Sequence, residues 1–272
     1  MLERTINYSA RKLSFSFDGT VLGASPYTYD YSYAGEDRSL NFYSLPSGTM
    51  TSSFPFETQP DGSPYLLDFT LSASGTTIGQ VTTVYEPGLW QYTRSVTPIS
   101  GQPAIWSDTG VFPILLSPDG TLLAASTSLY GSTNIFKNGT FVSAVPGFVI
   151  GWLDNDRLLV NHYTYASGGN PMNGWYTGCN IYSSAGVQLS TPSTPELDYF
   201  QTVTTDSVYE PSSNSIYSLT TGQPAWKGSL PINSGDWGAA LHSYLYIRQG
   251  VGAVAGPYVV YASGHSVIVE TF

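Results

Sequence analysis

The chain has 272 residues, of which only 10% are charged, with 9 basic against 19 acidic side chains, a net charge of −10 and a pI near 4.4. That balance repels a nucleic-acid backbone and disfavours an anionic membrane surface, and no apolar run is long enough to span a bilayer. Cys179 stands alone, which excludes an internal disulfide and a cysteine-based metal site.

Aromatic residues make up 14% of the chain, 21 of them Tyr, and Gly, Ser and Thr fill much of the remainder. This mixture suits pleated, half-buried surface and tight turns, whereas strong helix formers are scarce. The expected fold class is all-β. The opening segment MLERTINYSARK lacks the apolar core of a signal peptide. The low charge and abundant Ser, Thr, Gly and Tyr still resemble an extracellular bacterial surface. A secreted or cell-surface location is therefore expected, for a mature chain or a domain of a larger one.

In chain order, FSFDGTVLGAS (15–25) opens as strand, Asp18-Gly19 turn and strand. TLSASGTTIGQVTTV (70–84) places Gly75 at the same point, and ILLSPDGTLLAAS (114–126) places Gly120 there. GWLDNDRLLVNHY (151–163) substitutes Asn155, a residue that tolerates the left-handed conformation. FQTVTTDSVYEP (200–211) compresses the turn to Thr205-Asp206. A second series interleaves: NFYSLPSGTM (41–50), SVTPISGQPAIW (95–106), NIFKNGTFV (134–142), NIYSSAGVQL (180–189) and SIYSLTTGQPAW (215–226). Their turn glycines are Gly48, Gly101, Gly139, Gly186 and Gly222. Each unit then holds two hairpins, hence four strands a to d, over about 45 residues, which is the period of a β-propeller blade.

The hairpins SFDGTVLGAS and SPDGTLLAAS resemble those of the WD-repeat-like and TolB-like bacterial propeller superfamily. The resemblance implies the fold and carries no activity, and the Trp-Asp and Gly-His signatures of true WD repeats are missing. At the end of the chain, VYASGHSVIVETF (260–272) aligns with VYEPSSNSIYSL (208–219), so the last unit stops one strand short. Residues 3–9 are expected to supply that strand and close the ring. The reading is a single six-bladed β-propeller of four-stranded antiparallel blades, at about 12–54, 66–106, 112–145, 148–190, 198–228 and 240–272 plus 3–9. Seven blades would require a missing piece.

The a–b and c–d turns are mostly tight and share one face; the b–c and d–a loops share the other and hold most of the length. Loops on a rigid scaffold are where binding resides. PYTYDYSYAGEDR (26–38) of blade 1 and YTYASGGNPMNGWYTG (163–178) of blade 4 would oppose each other across the channel mouth. With SLPINSGDWGAAL (229–241) they gather the candidate ligand-binding residues Tyr29, Tyr31, Asp37, Tyr163, Tyr165, Trp175, Tyr176, Asp236 and Trp237. Tyr and Trp offer rigid area with a polar tip. The tyrosines of YTYDYSY fit equally one face of a strand extension packed on its sheet. Trp175-Tyr176, in a polar Gly-flanked loop, favours binding.

Chemistry is thinly supported. His162, His242 and His265 lie on three separate segments, no G-x-S-x-G elbow occurs, and Cys179 reads as filler beside strand c of blade 4. Asp154-Asn155-Asp156 occupies the turn of the repeat; calcium needs five or more oxygens at set spacing and is not supported. GVGAVAG (250–256) resembles a dinucleotide loop but has no helix after it, and is expected to be the a–b loop of the last blade. No cofactor is implied. The leading reading is a non-enzymatic module that binds a glycan, peptide or protein through the aromatic, acidic mouth. The alternatives are a polysaccharide hydrolase or lyase at the same mouth, and a structural spacer or assembly domain of a cell-surface protein.

Overall fold

The computed structural model describes residues 2–6, 10–16, 18–26, 39–45, 47–55, 65–72, 75–86, 89–98, 104–110, 112, 114–128, 131–165, 174–193, 201–204, 206–210, 213–229, 252–255, 258–263 and 266–271. Every regular element among them is a strand. Blade 1 holds β2 (Ala10–Phe15), β3 (Val21–Pro26), β4 (Ser39–Ser44) and β5 (Thr49–Pro55). Blade 2 holds β6 (Tyr65–Leu71), β7 (Thr77–Glu86), β8 (Leu89–Pro98) and β9 (Trp106–Thr109). Blade 3 holds β10 (Ile114–Leu116), β11 (Leu122–Ser126), β12 (Ser132–Lys137) and β13 (Thr140–Pro146). Blade 4 holds β14 (Phe148–Trp152), β15 (Arg157–Tyr165), β16 (Gly174–Ser183) and β17 (Gln188–Ser190). Blade 5 holds β18 (Gln201–Thr204), β19 (Ser207–Glu210), β20 (Ser215–Ser218) and β21 (Pro224–Lys227). The sixth sheet joins β22 (Gly252–Ala255), β23 (Tyr258–Ser263) and β24 (Ser266–Thr271) to β1 (Leu2–Ile6).

All pairings are antiparallel, and the first strands touch in the order β2, β6, β10, β14, β18, β22 and back to β2. That order is a closed ring. The core lies between successive blades. Leu40 and Phe42 of blade 1 meet Phe69, Leu71 and Ile78 of blade 2, and Val96 meets Ile114, Leu116, Leu123 and Ala125 of blade 3. Leu122, Ala124, Ile135 and Val145 meet Val149, Trp152, Leu158, Val160 and Tyr182 of blade 4. Each fully buried Leu, Ile or Val contributes roughly 1.5–3 kcal/mol. Inner strands are accordingly apolar on both faces, as in fully buried β11, while outer β13 and β17 are mostly exposed.

The turns repeat atom for atom. Asp18 Oδ1 accepts from Ser16 Oγ (2.6 Å), Thr20 N (3.0 Å) and Thr20 Oγ1 (2.7 Å). Asp119 Oδ1 accepts likewise from Ser117 Oγ (2.8 Å), Thr121 N (3.0 Å) and Thr121 Oγ1 (2.9 Å). Ser16 and Ser117, both fully buried, accept from Val21 N and Leu122 N. Blade 2 keeps the serine, with Ser72 Oγ accepting from Thr77 N at 3.1 Å. Gly19, Gly75 and Gly120 take φ of 72°, 65° and 73°, which L side chains resist. On the c–d side, Asn138-Gly139 has φ of 48° and 80°, the type I′ hairpin that matches strand twist.

Two local expectations are corrected. Asn155 is not among the left-handed residues. Instead Asp154 Oδ1 accepts from Asp156 N (2.9 Å) and Arg157 N (2.7 Å), and this Asx turn needs no positive φ. Asn155 Oδ1 accepts from Asp119 N of blade 3, a link between blades. GVGAVAG is not an a–b loop: Gly252–Ala255 is the innermost strand of its sheet, where small residues suit the crowded axis of the ring. Cys179 lies within β16, 3% exposed, in the blade 4–blade 5 core.

Candidate functional site

Two hairpins stand out from their sheets at the b–c end. In blade 4, β14 accompanies β15 only as far as Asn161, and β17 accompanies β16 only around Ile181 and Tyr182. Beyond that point β15 and β16 pair with each other alone, through His162↔Gly178, Tyr163↔Tyr176, Thr164↔Trp175 and Tyr165↔Gly174. At about 3.3 Å per residue this ribbon extends roughly 13 Å beyond the four-stranded sheet. The register shifts between His162 and Tyr163, so Thr177 is an extra residue on β16, and Gly178 beside it takes φ of 140°. Such bulges turn a strand and re-aim its residues.

Blade 2 carries the second ribbon, which sequence reasoning missed. β6 follows β7 as far as Thr83, and β9 follows β8 as far as Thr93. Val84↔Gln91, Tyr85↔Trp90 and Glu86↔Leu89 continue as a ribbon of about 10 Å. A signal was present: VTTVYE and LWQYTR flank Pro87-Gly88, and the ten-residue strands are about twice the usual length. Blade 3, between the two, turns at once. Thr127 N and Oγ1 both donate to Ser132 O at 2.8 Å, and Ser132 N returns a bond to Thr127 Oγ1.

The base of the blade 4 ribbon is knit by polar groups. Asn180 Nδ2 lies 3.0 Å from His162 Nε2, and Thr191 Oγ1 donates to Asn180 Oδ1 at 2.6 Å. Burial against the Tyr182 ring and the Gly147 backbone holds the His162 pKa below its ordinary value. Asn161 is fully buried; its Nδ2 donates to Tyr163 Oη at 3.3 Å, while Oδ1 is the single buried side-chain N or O without a partner among the described residues.

Of the sequence candidates, Tyr163, Tyr165, Trp175 and Tyr176 are brought together on one ribbon. Tyr163 is half-buried and packs against the cluster of Phe148, Leu159 and Cys179 beside Tyr217 of blade 5, so it also serves the core. Tyr29, Tyr31, Asp37, Asp236 and Trp237 lie outside the described residues, as do His242 and His265. Asp18, Asp119, Asp154 and Asp156 all sit on the a–b face and are engaged in turns. Among the described residues no three His, Cys, Asp or Glu side chains gather as a metal site. Nor is any described helix long and apolar enough to cross a membrane.

No family model matches the chain, and no curated protein does. Solved structures match over nearly its whole length. The β-propeller domain of Cps50 (Swd1) from Myceliophteria thermophila superposes with TM-score 0.52 at 10% identity, covering 99% of both chains. The fold is a β-propeller. Hydrazine synthase of Kuenenia stuttgartiensis matches with TM-score 0.51 at 12% identity over 97% of this chain and 96% of that one. The β-propeller domain of the Trilobed protease from Pyrococcus furiosus gives 0.50 at 12%, over 97% and 84%. That domain is described as having an open velcro topology, whereas here β1 pairs with β24 and fastens first strand to last. At such identities the likeness is one of fold.

Proposed function

We propose that this propeller is a non-enzymatic interaction module whose ligand, a glycan, peptide or protein, sits on the b–c and d–a face. The observation that carries the reading is the blade 4 ribbon, which leaves its sheet and sets Tyr163 opposite Tyr176 and Thr164 opposite Trp175. A two-stranded ribbon in water is only marginally stable by itself, and the register of this one carries Thr164, Trp175 and Tyr176 past the end of the four-stranded sheet, on the loop-bearing rim where binding resides. The a–b face, by contrast, has its carboxylates committed to turns. The acidic residues expected around the mouth would orient the ligand, and a secreted or surface setting fits the composition. The test is binding of the intact chain to glycan and peptide arrays, repeated with a Trp175→Ala/Tyr176→Ala variant whose melting temperature is matched to wild type. Loss of binding in the variant supports the reading. Turnover of a polysaccharide that disappears with one mouth carboxylate would replace it with the hydrolase or lyase.

A further inference from the structure

His162 stands at the joint between the four-stranded part of blade 4 and its ribbon. β14 leaves β15 at Asn161, just before it, and the register with β16 shifts just after it. Thr177, the extra residue of that bulge, donates through Oγ1 to His162 O at 3.1 Å. The imidazole belongs to the row of Leu158 and Val160, which packs on blade 3. A Cβ added to Gly147 would lie 3.1 Å from Nδ1, and the Tyr182 ring centroid is 6.2 Å away. The ring is thus wedged, half-buried, between the blade 3–blade 4 link and β16.

A chain of hydrogen bonds fixes the protonation of this ring. Gln188 Nε2 donates to Thr191 Oγ1 at 3.4 Å, and Thr191 Oγ1 donates in turn to Asn180 Oδ1 at 2.6 Å. The Asn180 amide is thereby turned so that Nδ2, which can only donate, faces His162 Nε2 at 3.0 Å. Nε2 must accept, so the ring is neutral. The chain ties β17, β16 and β15 together where β14 has ended. Protonation would set donor against donor. Residues 158–193 contain no Asp, Glu, Lys or Arg to answer the charge. Asp154, Asp156 and Arg157 of blade 4 and Asp119 of blade 3 sit at a–b turns, and Lys137 at a c–d turn, all at the opposite end of the strands. Tyr163 and Cys179 pack in the core toward blade 5, and Glu196 and Asp198 lie outside the described residues. Burial without a counter-charge is what holds the His162 pKa below its ordinary value.

We propose that His162 is a proton-operated catch for the blade 4 ribbon: neutral, it joins β15 to Asn180 and pins the ribbon base; protonated, it parts from Asn180 and the ribbon loosens at the bulge. Its consequence for ligand binding rests on the interaction-module reading; the catch itself does not. A proton taken up more readily by the loosened state favours that state as pH falls below the ordinary histidine value of about 6.5, and the effect levels off below the closed-state value. Hydrogen–deuterium exchange of the intact protein, corrected for intrinsic rates, is followed from about pH 7.5 to about pH 5, with the His162 ring protons titrated alongside by NMR. Protection of residues 163–177 should fall roughly threefold or more, with its onset below about pH 6.5, while that of Phe148–Trp152 holds. His162→Gln, whose amide oxygen can accept from Asn180 without titrating, should abolish the fall. Asn180→Asp sets a carboxylate against the ring; it should raise the His162 midpoint by about one pH unit or more and keep the ribbon closed in mild acid. Should His162→Gln fold poorly, Asn180→Asp reads the same catch. Exchange indifferent to pH, or a fall that survives His162→Gln or is unmoved in Asn180→Asp, would overturn the catch. The expected exchange with no ligand bound on the arrays at either pH would keep the catch and remove the interaction-module reading.

Discussion

Arg94 and Asp108 face each other on neighbouring strands of blade 2, Nε 2.7 Å from Oδ1 and Nη2 2.5 Å from Oδ2, while Nη1 of the same arginine crosses to the Ser126 carbonyl of blade 3. Phe112 O takes a longer bond from Nη1, at 3.4 Å, and the Trp106 ring lies 5.9 Å from the guanidinium carbon. The arginine therefore belongs to both blades. Its side chain is 7% exposed and that of Asp108 is 34% exposed, so the planar fork is held in a desolvated slot by a partly wet acid. Asp108→Ala leaves a buried cation unpaired and should cost about 3 kcal/mol in denaturant unfolding. Arg94→Met/Asp108→Leu should cost clearly less than the sum of the two single changes, because no charge is left stranded. Additive single and double changes would show that the pair is not coupled.

The paired carboxylate turns give the fold a pH signature. Partial burial opposes ionisation of Asp18 and Asp119, yet the bonds from Ser16, Thr20 and the corresponding Ser117 and Thr121 outweigh it and hold both carboxyls below the ordinary aspartate value. A carboxyl with a depressed folded-state pKa stabilises the fold fully above its unfolded pKa of about 3.9, and loses that contribution as pH falls through the folded value. Between those two points the unfolded chain binds more protons than the native one. Melting temperature should therefore fall as the pH drops below about 4. In Asp18→Asn/Asp119→Asn the dependence should be shallower over that window, with the baseline above pH 5 lowered. An unchanged slope would assign the acid sensitivity to other groups.

Much of this architecture could be read from the chain because turn chemistry is local. Gly19, Gly48, Gly75, Gly120, Gly139, Gly186 and Gly222, picked out by their spacing, all have positive φ. A hairpin needs that conformation whatever surrounds it. Contacts between blades were less legible. Nothing near Asn155 announces that its oxygen serves Asp119 N, 36 residues away, or that Arg94 reaches Ser126, 32 residues away. The blade 4 ribbon was partly legible from its aromatic cluster. The blade 2 ribbon left a weaker trace, since the long strands around Pro87-Gly88 announce a hairpin but its projection shows only where the neighbouring strands stop short.

The turns also set the distance between blades. A Cβ on Gly75 would lie 2.9 Å from Val21 Cβ and 3.1 Å from both Val21 methyls, at φ of +65°. Gly75→Ala thus meets two obstacles, a left-handed backbone costing roughly 1–2 kcal/mol and a clash with a stiff β-branched neighbour. The total should be about 3 kcal/mol. Introduced into Val21→Gly, which removes the Cβ together with both methyls, the same change should cost only the backbone part. Equal costs in the two backgrounds would mean that the blade 1–blade 2 contact yields without resistance.

The last relationship concerns closure. Leu2, Arg4, Thr5 and Ile6 pair with Glu270, Val269, Ile268 and Val267, so β1 covers the outer edge of β24. Without it, β24 would present a row of free amides and carbonyls along SVIVET, whose Val267, Ile268 and Val269 are already buried in the sheet. An apolar edge of that kind recruits other strands. A variant lacking residues 1–6 should melt at lower temperature and scatter light in a concentration-dependent way. A synthetic peptide of residues 1–9 added in trans should reverse both effects by restoring the fourth strand. Full stability of the truncated chain, with no scattering and no response to the peptide, would show that the ring is held by its interblade cores and not by this pairing.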